Sequence, residues 1–114
     1  MKVGFIGLGN MGSAMIGGMI ANKVVNAEDI IGADASMERT DEIVNKFGIT
    51  PAGSNNGAAR ADILITSVKP QVYESVIEDI RDSIGENTVI ISIAPGKTLS
   101  WLREKYGKPV KLVR

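Results

Sequence analysis

A glycine-rich segment near the N terminus has the residue types and the spacing to bind a phosphate group. Gly7, Gly9 and Gly12 follow the short apolar run 2–6 and precede a segment with helical periodicity. In this pattern the first glycine permits a tight turn out of a strand, the second lets the backbone approach a ligand, and the third lets the helix pack close to the strand. Free amides at the start of the helix then attract an anion. The segment predicts a dinucleotide pyrophosphate site, with a glycine loop that binds no ligand as the alternative.

An acidic residue stands where the second strand is predicted to end. Asp34 lies 22 positions after Gly12, about where a carboxylate binds a ribose 2′-hydroxyl and favours NAD. Ser36 and Arg39 follow closely, and an arginine pairs well with the 2′-phosphate of NADP. The two signals conflict, so this pattern leaves the choice of cofactor open. The alternative for Asp34 is a helix N-cap without a ligand.

The residue types that are missing narrow the chemistry further. The 114 residues include no Cys and no His, which excludes a thiol nucleophile and removes the commonest general base and zinc ligand. We therefore expect no metal site. Thirteen basic residues balance 13 acidic ones, so nothing indicates nucleic acid or an anionic membrane as a partner. Catalysis, if this chain takes part in it, has to rely on a cofactor or on residues outside the chain.

The hydrophobic pattern alternates between strands and helices, and the strands are apolar throughout. This is typical of a parallel sheet covered on both faces, so we predict an α/β fold: a Rossmann-type, doubly wound parallel sheet in one domain, residues 1–114. In the helix that begins at Pro70, Val72, Val76, Ile77 and Ile80 form the predicted apolar stripe, and Gly85 is the predicted end. Strands are predicted at 2–6, 30–33, 63–68, 89–93 and 110–113, helices at 11–21, 38–47 and 99–106, and a short strand with one helical turn within 49–60.

The nearly uncharged stretch 3–21 is poorly suited to serve as a signal peptide or a membrane helix. Lys2 is the single basic residue before it, Asn10 and Ser13 interrupt it, and its six glycines weaken a membrane helix. We therefore expect a cytoplasmic protein without a membrane partner.

Three segments together resemble one enzyme family. Residues 4–12 (GFIGLGNMG), 67–71 (SVKPQ) and 92–96 (SIAPG) are similar to the N-terminal domain of pyrroline-5-carboxylate reductases, and the resemblance covers essentially the whole chain. The first segment is shared with many dehydrogenases, whereas the other two are the specific part.

The resemblance implies a role for each group of residues. The loop around the pyrophosphate comprises Ile6, Gly7, Leu8, Gly9, Asn10, Met11 and Gly12. Asp34 and Ser36 face the adenosine ribose and its 2′ substituent, and one of Asn55 and Asn56 lies near the adenosine half. The cofactor is lined by Val68, Lys69 and Pro70 after one strand, and the nicotinamide lies on Ile93, Ala94 and Pro95 after the next.

The resemblance also implies an activity. The family reduces the cyclic imine L-1-pyrroline-5-carboxylate to L-proline with NADPH or NADH. A helical C-terminal domain, not present in this chain, forms the homodimer or higher homo-oligomer and completes the site for the small imino-acid substrate. We expect this chain to bind NADP(H), with NAD(H) as the alternative, and to be inactive alone. Ala35, where many relatives carry Arg, weakens the case for NADPH.

Three other functions are compatible with the same first motif. They are the N-terminal domain of a β-hydroxyacid dehydrogenase of the 3-hydroxyisobutyrate or 6-phosphogluconate type, an F420-dependent NADP reductase, and a non-catalytic nucleotide-sensing module.

Overall fold

The structure is a computed structural model that describes residues 1–93 and 96–113. Within these residues strands and helices alternate, as the hydrophobic pattern predicted. The strands are β1 (Val3–Ile6), β2 (Ile30–Ala33), β3 (Thr50–Pro51), β4 (Ile63–Thr66), β5 (Val89–Ser92) and β6 (Lys111–Val113). The helices are α1 (Asn10–Ala21), α2 (Met37–Phe47), α3 (Asn55–Ala59), α4 (Pro70–Ile80) and α5 (Leu99–Tyr106), with a 3-10 turn at Ala27–Asp29 that the sequence analysis did not predict.

The six strands form one parallel sheet in the order β3-β2-β1-β4-β5-β6. In the two central pairings, Val3 is opposite Ile30 on one side and opposite Ile63 on the other. Strand order reverses between β1 and β4, and ligands of such sheets bind beyond the carboxyl ends of the strands at that reversal. The doubly wound Rossmann-type fold is confirmed.

The sheet separates two hydrophobic cores, one on each face. Alternate residues of a strand point to opposite faces, so Phe5 packs with α1 and α2 whereas Ile6 packs with α3, α4 and α5. Both side chains are fully buried. This two-sided burial is the physical reason why the strands are apolar at every position.

Local signals set most helix ends. Gly48 and Gly107 follow α2 and α5 in the left-handed conformation, with φ of 78° and 64°. Ser36, Ser54 and Thr98 cap the starts of α2, α3 and α5, each accepting a hydrogen bond from a backbone amide of the first turn. The N-cap of α2 is therefore Ser36 and not Asp34.

Helix α4 differs from its prediction in two respects. It ends at Ile80, not at Gly85, because the chain turns there so that Ile84 enters the core and the Ser83 hydroxyl donates to Asn56 Oδ1 at 2.6 Å. The predicted stripe residue Val72 is 46% exposed, whereas Tyr73 is completely buried. The core face of α4 is therefore Tyr73, Val76, Ile77 and Ile80.

Strands β4 and β5 are also shorter than predicted. They end at Thr66 and Ser92, while the predicted strands continued to Val68 and Ile93. Both ends coincide with the end of β1 at Ile6, where Gly7 turns the chain out of the sheet with a φ of 97°. Segment 67–69 and Ile93 are thus loop residues at the carboxyl edge of the sheet.

Candidate functional site

Gly7 and Gly12 are glycines that the fold itself requires. A Cβ on Gly7 would stand 2.1 Å from the Ser67 carbonyl oxygen, and its φ of 97° is in the region that favours glycine. A Cβ on Gly12 would stand 2.4 Å from the carbonyl oxygen of Gly7. The turn out of β1 therefore packs directly against both the loop after β4 and the first turn of α1.

Gly9 is different, because no contact with the described residues requires glycine there. A Cβ at this position would meet no atom within 4 Å, and its backbone (φ −71°, ψ −165°) is extended and open to any residue. Gly9 lines a cleft beside the start of α1. Gly9 thus has room for a side chain and also borders the space that a ligand would occupy.

The start of α1 offers amides to that ligand. Gly9 is its N-cap and provides no side-chain acceptor, in contrast to the capped starts of α2, α3 and α5. The first amides of a helix have no partner within the helix, and its dipole makes this end partly positive. An anion of the size of a phosphate can satisfy them.

A cleft of about 660 Å³ opens beside this helix start, beyond the carboxyl ends of β1, β2 and β4. Eight of the residues that the sequence analysis selected line it: Ile6, Gly7, Gly9, Asp34, Ser36, Asn55, Val68 and Lys69. A volume of this order is in the range of small-molecule and cofactor sites. The structure therefore brings residues from four separate segments of the chain into one concave surface.

Asp34 connects the cleft to the glycine-rich loop. Its Oδ2 accepts a hydrogen bond from the Leu8 amide at 2.8 Å, and its Oδ1 accepts one from the Ser36 amide at 2.9 Å. A carboxylate has about four acceptor positions, so these two bonds leave capacity for ribose hydroxyls. Asp34 thus holds the loop after β1 against the loop after β2 and also borders the cleft.

Arg39 lies away from the cleft lining. Its Nε donates to the Leu8 carbonyl at 2.6 Å, and one terminal nitrogen pairs with both oxygens of Glu42 at 3.1 Å. The other terminal nitrogen is 3.4 Å from Ser13 Oγ. In this arrangement Arg39 supports the glycine-rich loop from α2, a role that its position in the sequence did not indicate.

The structure distinguishes between the two asparagines. Asn55 lines the cleft, whereas Asn56 accepts the hydrogen bond from Ser83 and is not part of the lining. Asn55 also borders a second cavity of about 300 Å³, which shares Asp34 and Ala35 with the cleft. The two cavities therefore meet near the ends of β2 and β3.

The remaining predicted residues that the structure describes are not part of the cleft lining. Leu8 is completely buried, and Gly12 is packed within the turn described above. Asn10 and Met11 are exposed at the start of α1, Pro70 is exposed at the start of α4, and Ile93 is half-buried after β5. Ala94 and Pro95 lie outside the described residues.

The predicted site did not include one face of α4, which belongs to the cleft. Val72, Ser75, Val76 and Asp79 line it, and their spacing of three and four residues is that of a single helical face. Ser67 and Ala35 complete the lining. The periodicity could have indicated this second face, because Ser75 and Asp79 are polar residues next to the apolar stripe.

The described residues contain no group of three or more His, Cys, Asp or Glu side chains placed to hold a metal ion. Among the same residues, no helix is long and apolar enough to cross a membrane. What the cleft offers is an anion-binding helix start, a carboxylate at the end of β2, and apolar walls from Ile6, Val68 and Val72.

Several known proteins are similar to this chain in sequence or in fold. The pyrroline-5-carboxylate reductase of Escherichia coli (strain K12) is 37% identical over 114 residues, which are 99% of this chain and 42% of that protein. The solved pyrroline-5-carboxylate reductase from Coxiella burnetii has a TM-score of 0.88 at 30% identity and matches 97% of this chain and 42% of its own. The Plasmodium falciparum pyrroline carboxylate reductase, solved with NADP bound, has a TM-score of 0.85 at 30% identity over 98% of this chain and 40% of its own.

The resemblance predicted from the three sequence segments is confirmed by these matches, and the chain spans less than half the length of the relatives. A family model covers most of the chain as well, including the glycine-rich loop and the cleft residues after β2 and β4. Since this model matches residues 2–96, the chain belongs to the family described as NADP oxidoreductase, coenzyme F420-dependent.

Proposed function

We propose that this chain binds NADP(H) in the cleft beside α1 and forms the cofactor-binding part of a pyrroline-5-carboxylate reductase. Gly9 is the observation that carries the proposal. The fold gives no reason for glycine there, yet the position faces the cleft at the uncapped start of a helix. A ligand whose phosphates approach the backbone closely does give a reason.

The residues fit the cofactor along the length of the cleft. Amides at the start of α1 would hold the pyrophosphate, and Asp34 with Ser36 would contact the adenosine ribose. Asn55 borders the same end, while Val68 and Lys69 form the wall after β4. When bound, the nicotinamide would supply the hydride for reduction of a C=N bond, and the protein's part is positioning and electrostatics.

NADP(H) is the preferred cofactor in this proposal, and NAD(H) is the alternative. Support for NADP(H) comes from the family description and from the Plasmodium falciparum relative that was solved with NADP. The carboxylate of Asp34 and the small side chain of Ala35 favour NAD(H), because a carboxylate repels a 2′-phosphate. Arg39 is already paired with Glu42 and the Leu8 carbonyl, so it offers limited compensation.

The whole enzyme is proposed to reduce L-1-pyrroline-5-carboxylate to L-proline. In this proposal residues 1–114 are one dinucleotide-binding domain, and a helical domain outside them completes the substrate site and forms a homodimer or larger homo-oligomer. The relatives support the division, since the chain matches 42% of their length. A cytoplasmic location is part of the proposal, supported by the use of residues 3–21 as β1, the loop and α1 of the folded domain.

Calorimetric titration of the chain with NADPH and with NADH tests the binding. We expect saturable heat with both cofactors and the lower Kd with NADPH. If neither cofactor gives heat at millimolar concentrations, the proposed site is ruled out. Proline formation by the isolated chain would contradict the division between this domain and a separate substrate domain.

A second candidate follows from the family description, which names coenzyme F420. A reductase of that kind exchanges a hydride between NADP and a deazaflavin. In this proposal both ligands also contact a second domain, so the longer protein is the sample for the comparison. Titration of its NADP-loaded form with a deazaflavin and with a pyrroline carboxylate analogue separates the two candidates.

A further inference from the structure

A chain of buried hydroxyl groups lies directly behind the cleft. Tyr73, on α4, is completely buried, and its hydroxyl is hydrogen-bonded to Thr66 Oγ1. The same hydroxyl donates to Ser92 Oγ at 2.7 Å. Thr66 and Ser92 are opposite each other in the sheet and are the last residues of β4 and β5. One phenol therefore connects a helix with the carboxyl ends of two adjacent strands.

The bond to Thr66 also closes a short loop. Segment 67–69 joins the end of β4 to Pro70, the first residue of α4, and Tyr73 lies one turn further along that helix. The hydrogen bond between Thr66 and Tyr73 thus spans the segment from one side to the other. All three residues of segment 67–69 line the cleft.

Segment 67–69 in turn packs against the glycine-rich loop. The Ser67 carbonyl oxygen occupies the space where a Cβ of Gly7 would stand, and the Ser67 amide donates to the Ile6 carbonyl at 2.8 Å. On the other side, the Ile93 amide donates to the Thr66 carbonyl at 2.9 Å. A shift at Thr66 would therefore reach both the loop after β1 and the loop after β5.

Tyr106 provides a natural comparison within the same core. It is almost completely buried, yet its hydroxyl has no hydrogen-bond partner among the described residues. Burial raises the pKa of Tyr106, and the nearby Tyr73 phenol raises it further. Burial raises the pKa of Tyr73 too, although its bonds to Ser92 and Thr66 oppose that effect. Trp101 meets the Tyr73 ring edge-on at 6.0 Å and so fixes its orientation from α5.

We propose that the Tyr73 hydroxyl is a positioning group for the cofactor cleft, which holds segment 67–69 against the glycine-rich loop through its bonds to Thr66 and Ser92. This inference rests on the proposed function, since it concerns the same cleft. It assigns to Tyr73 a role in ligand affinity, beyond its contribution to the core.

The test compares Tyr73→Phe with Tyr106→Phe, because each removes one buried hydroxyl and nothing else. We expect Tyr73→Phe to raise the Kd for NADPH by about fivefold, the effect of one net hydrogen bond. Tyr106→Phe is expected to change this Kd much less, since the Tyr106 hydroxyl lies near the Tyr73 phenol but has no bond to Thr66 or Ser92. Hydrogen exchange at the amides of segment 67–69 should become faster in Tyr73→Phe and not in Tyr106→Phe.

A third variant separates positioning from general loss of stability. Ile43→Val removes one methylene from the core on the opposite face of the sheet, where Ile43 is 1% exposed, and it lowers the melting temperature without touching the hydroxyl chain. An unchanged Kd for Tyr73→Phe would overturn the inference, and so would an equal rise of Kd in all three variants. If Tyr73→Phe does not fold, Ser92→Ala removes one of its bonds and is expected to give the same pattern. Should the unmodified chain fail to bind NADPH, the proposed function fails, whereas the exchange measurement still decides whether Tyr73 holds the segment.

Discussion

Replacing Gly9 with alanine should separate binding of the cofactor from stability of the fold. A methyl group at this position meets no atom of the neighbouring described residues within 4 Å, and the extended backbone of Gly9 accepts alanine without strain. Loss of glycine also reduces the conformational freedom of the unfolded chain, which stabilises a compatible site by about 0.4 to 1 kcal/mol. We therefore expect the free energy of unfolding of Gly9→Ala to equal that of the unmodified chain or to exceed it slightly.

The same methyl group should weaken binding severely. It would occupy the space in the cleft through which a phosphate oxygen reaches the amides at the start of α1. Hydrogen bonds to a charged group contribute about 1.5 to 3 kcal/mol each, so the loss of one raises Kd by roughly 10- to 150-fold. Calorimetry with NADPH measures the Kd, and urea denaturation monitored by circular dichroism measures the stability.

Two other glycines of the same region serve as controls. Gly18, inside α1, also has no atom within 4 Å of a built Cβ but does not line the cleft, so Gly18→Ala should stabilise the helix and leave binding intact. Gly12→Ala should destabilise the fold, because its methyl would lie 2.4 Å from the Gly7 carbonyl oxygen. The reasoning is wrong if Gly9→Ala binds NADPH as tightly as the unmodified chain, or if it loses as much stability as Gly12→Ala.

Three further predictions follow from the contacts. Asp34→Asn leaves one oxygen for the two amides that now donate to the carboxylate, so the free energy of unfolding, measured by urea denaturation, should fall by about 1 to 3 kcal/mol. The same variant removes a negative charge, so the ratio of the Kd for NADPH to the Kd for NADH, measured by calorimetry, should fall. Gly48→Ala should destabilise the domain by about 1 kcal/mol in urea denaturation, since Gly48 ends α2 with a φ of 78°. The ordinary pKa of both phenols is 10.0, and the raised pKa values of Tyr73 and Tyr106 keep them neutral in the folded state when the pH exceeds that value. The unfolded chain then binds fewer protons than the folded one, so stability should fall as pH rises above about 10, and this fall should be smaller in Tyr106→Phe; stability that is independent of pH in that range would contradict the assignment.

The sequence was sufficient to predict the alternation of strands and helices. Strands buried on both faces must be apolar throughout, and this pattern requires no knowledge of which strands are neighbours. The end of α2 at Gly48 and the end of α5 at Gly107 are local signals in the same sense. The cleft residues at the ends of β1, β2 and β4 could be predicted because the fold class itself specifies that edge as the ligand site.

Helix α4 shows why other features could not be predicted. The spacing of Val72, Val76 and Ile80 describes an apolar stripe, but Tyr73 fits a stripe with Ile77 and Ile80 equally well. The choice depends on the rotation of the helix about its axis, which packing determines. The hydroxyls of Thr66 and Ser92, which are hydrogen-bonded to the Tyr73 hydroxyl, favour the second stripe, and Val72 lines the cleft.

The roles of Asp34 and Arg39 depended on contacts that no local pattern contains. The amide of Leu8 donates to the Asp34 carboxylate from 26 positions away in sequence, and the Leu8 carbonyl accepts from Arg39 across 31 positions. Their positions in the sequence predicted that both side chains contact a ligand, Asp34 a ribose and Arg39 a 2′-phosphate. In the structure both hold the glycine-rich loop at the same residue, Leu8, and Asp34 alone also borders the cleft. We therefore expect the preference between NADPH and NADH to depend on how much of the Asp34 carboxylate remains available to a ribose after it has fixed the loop, and the change of the Kd ratio in Asp34→Asn tests this.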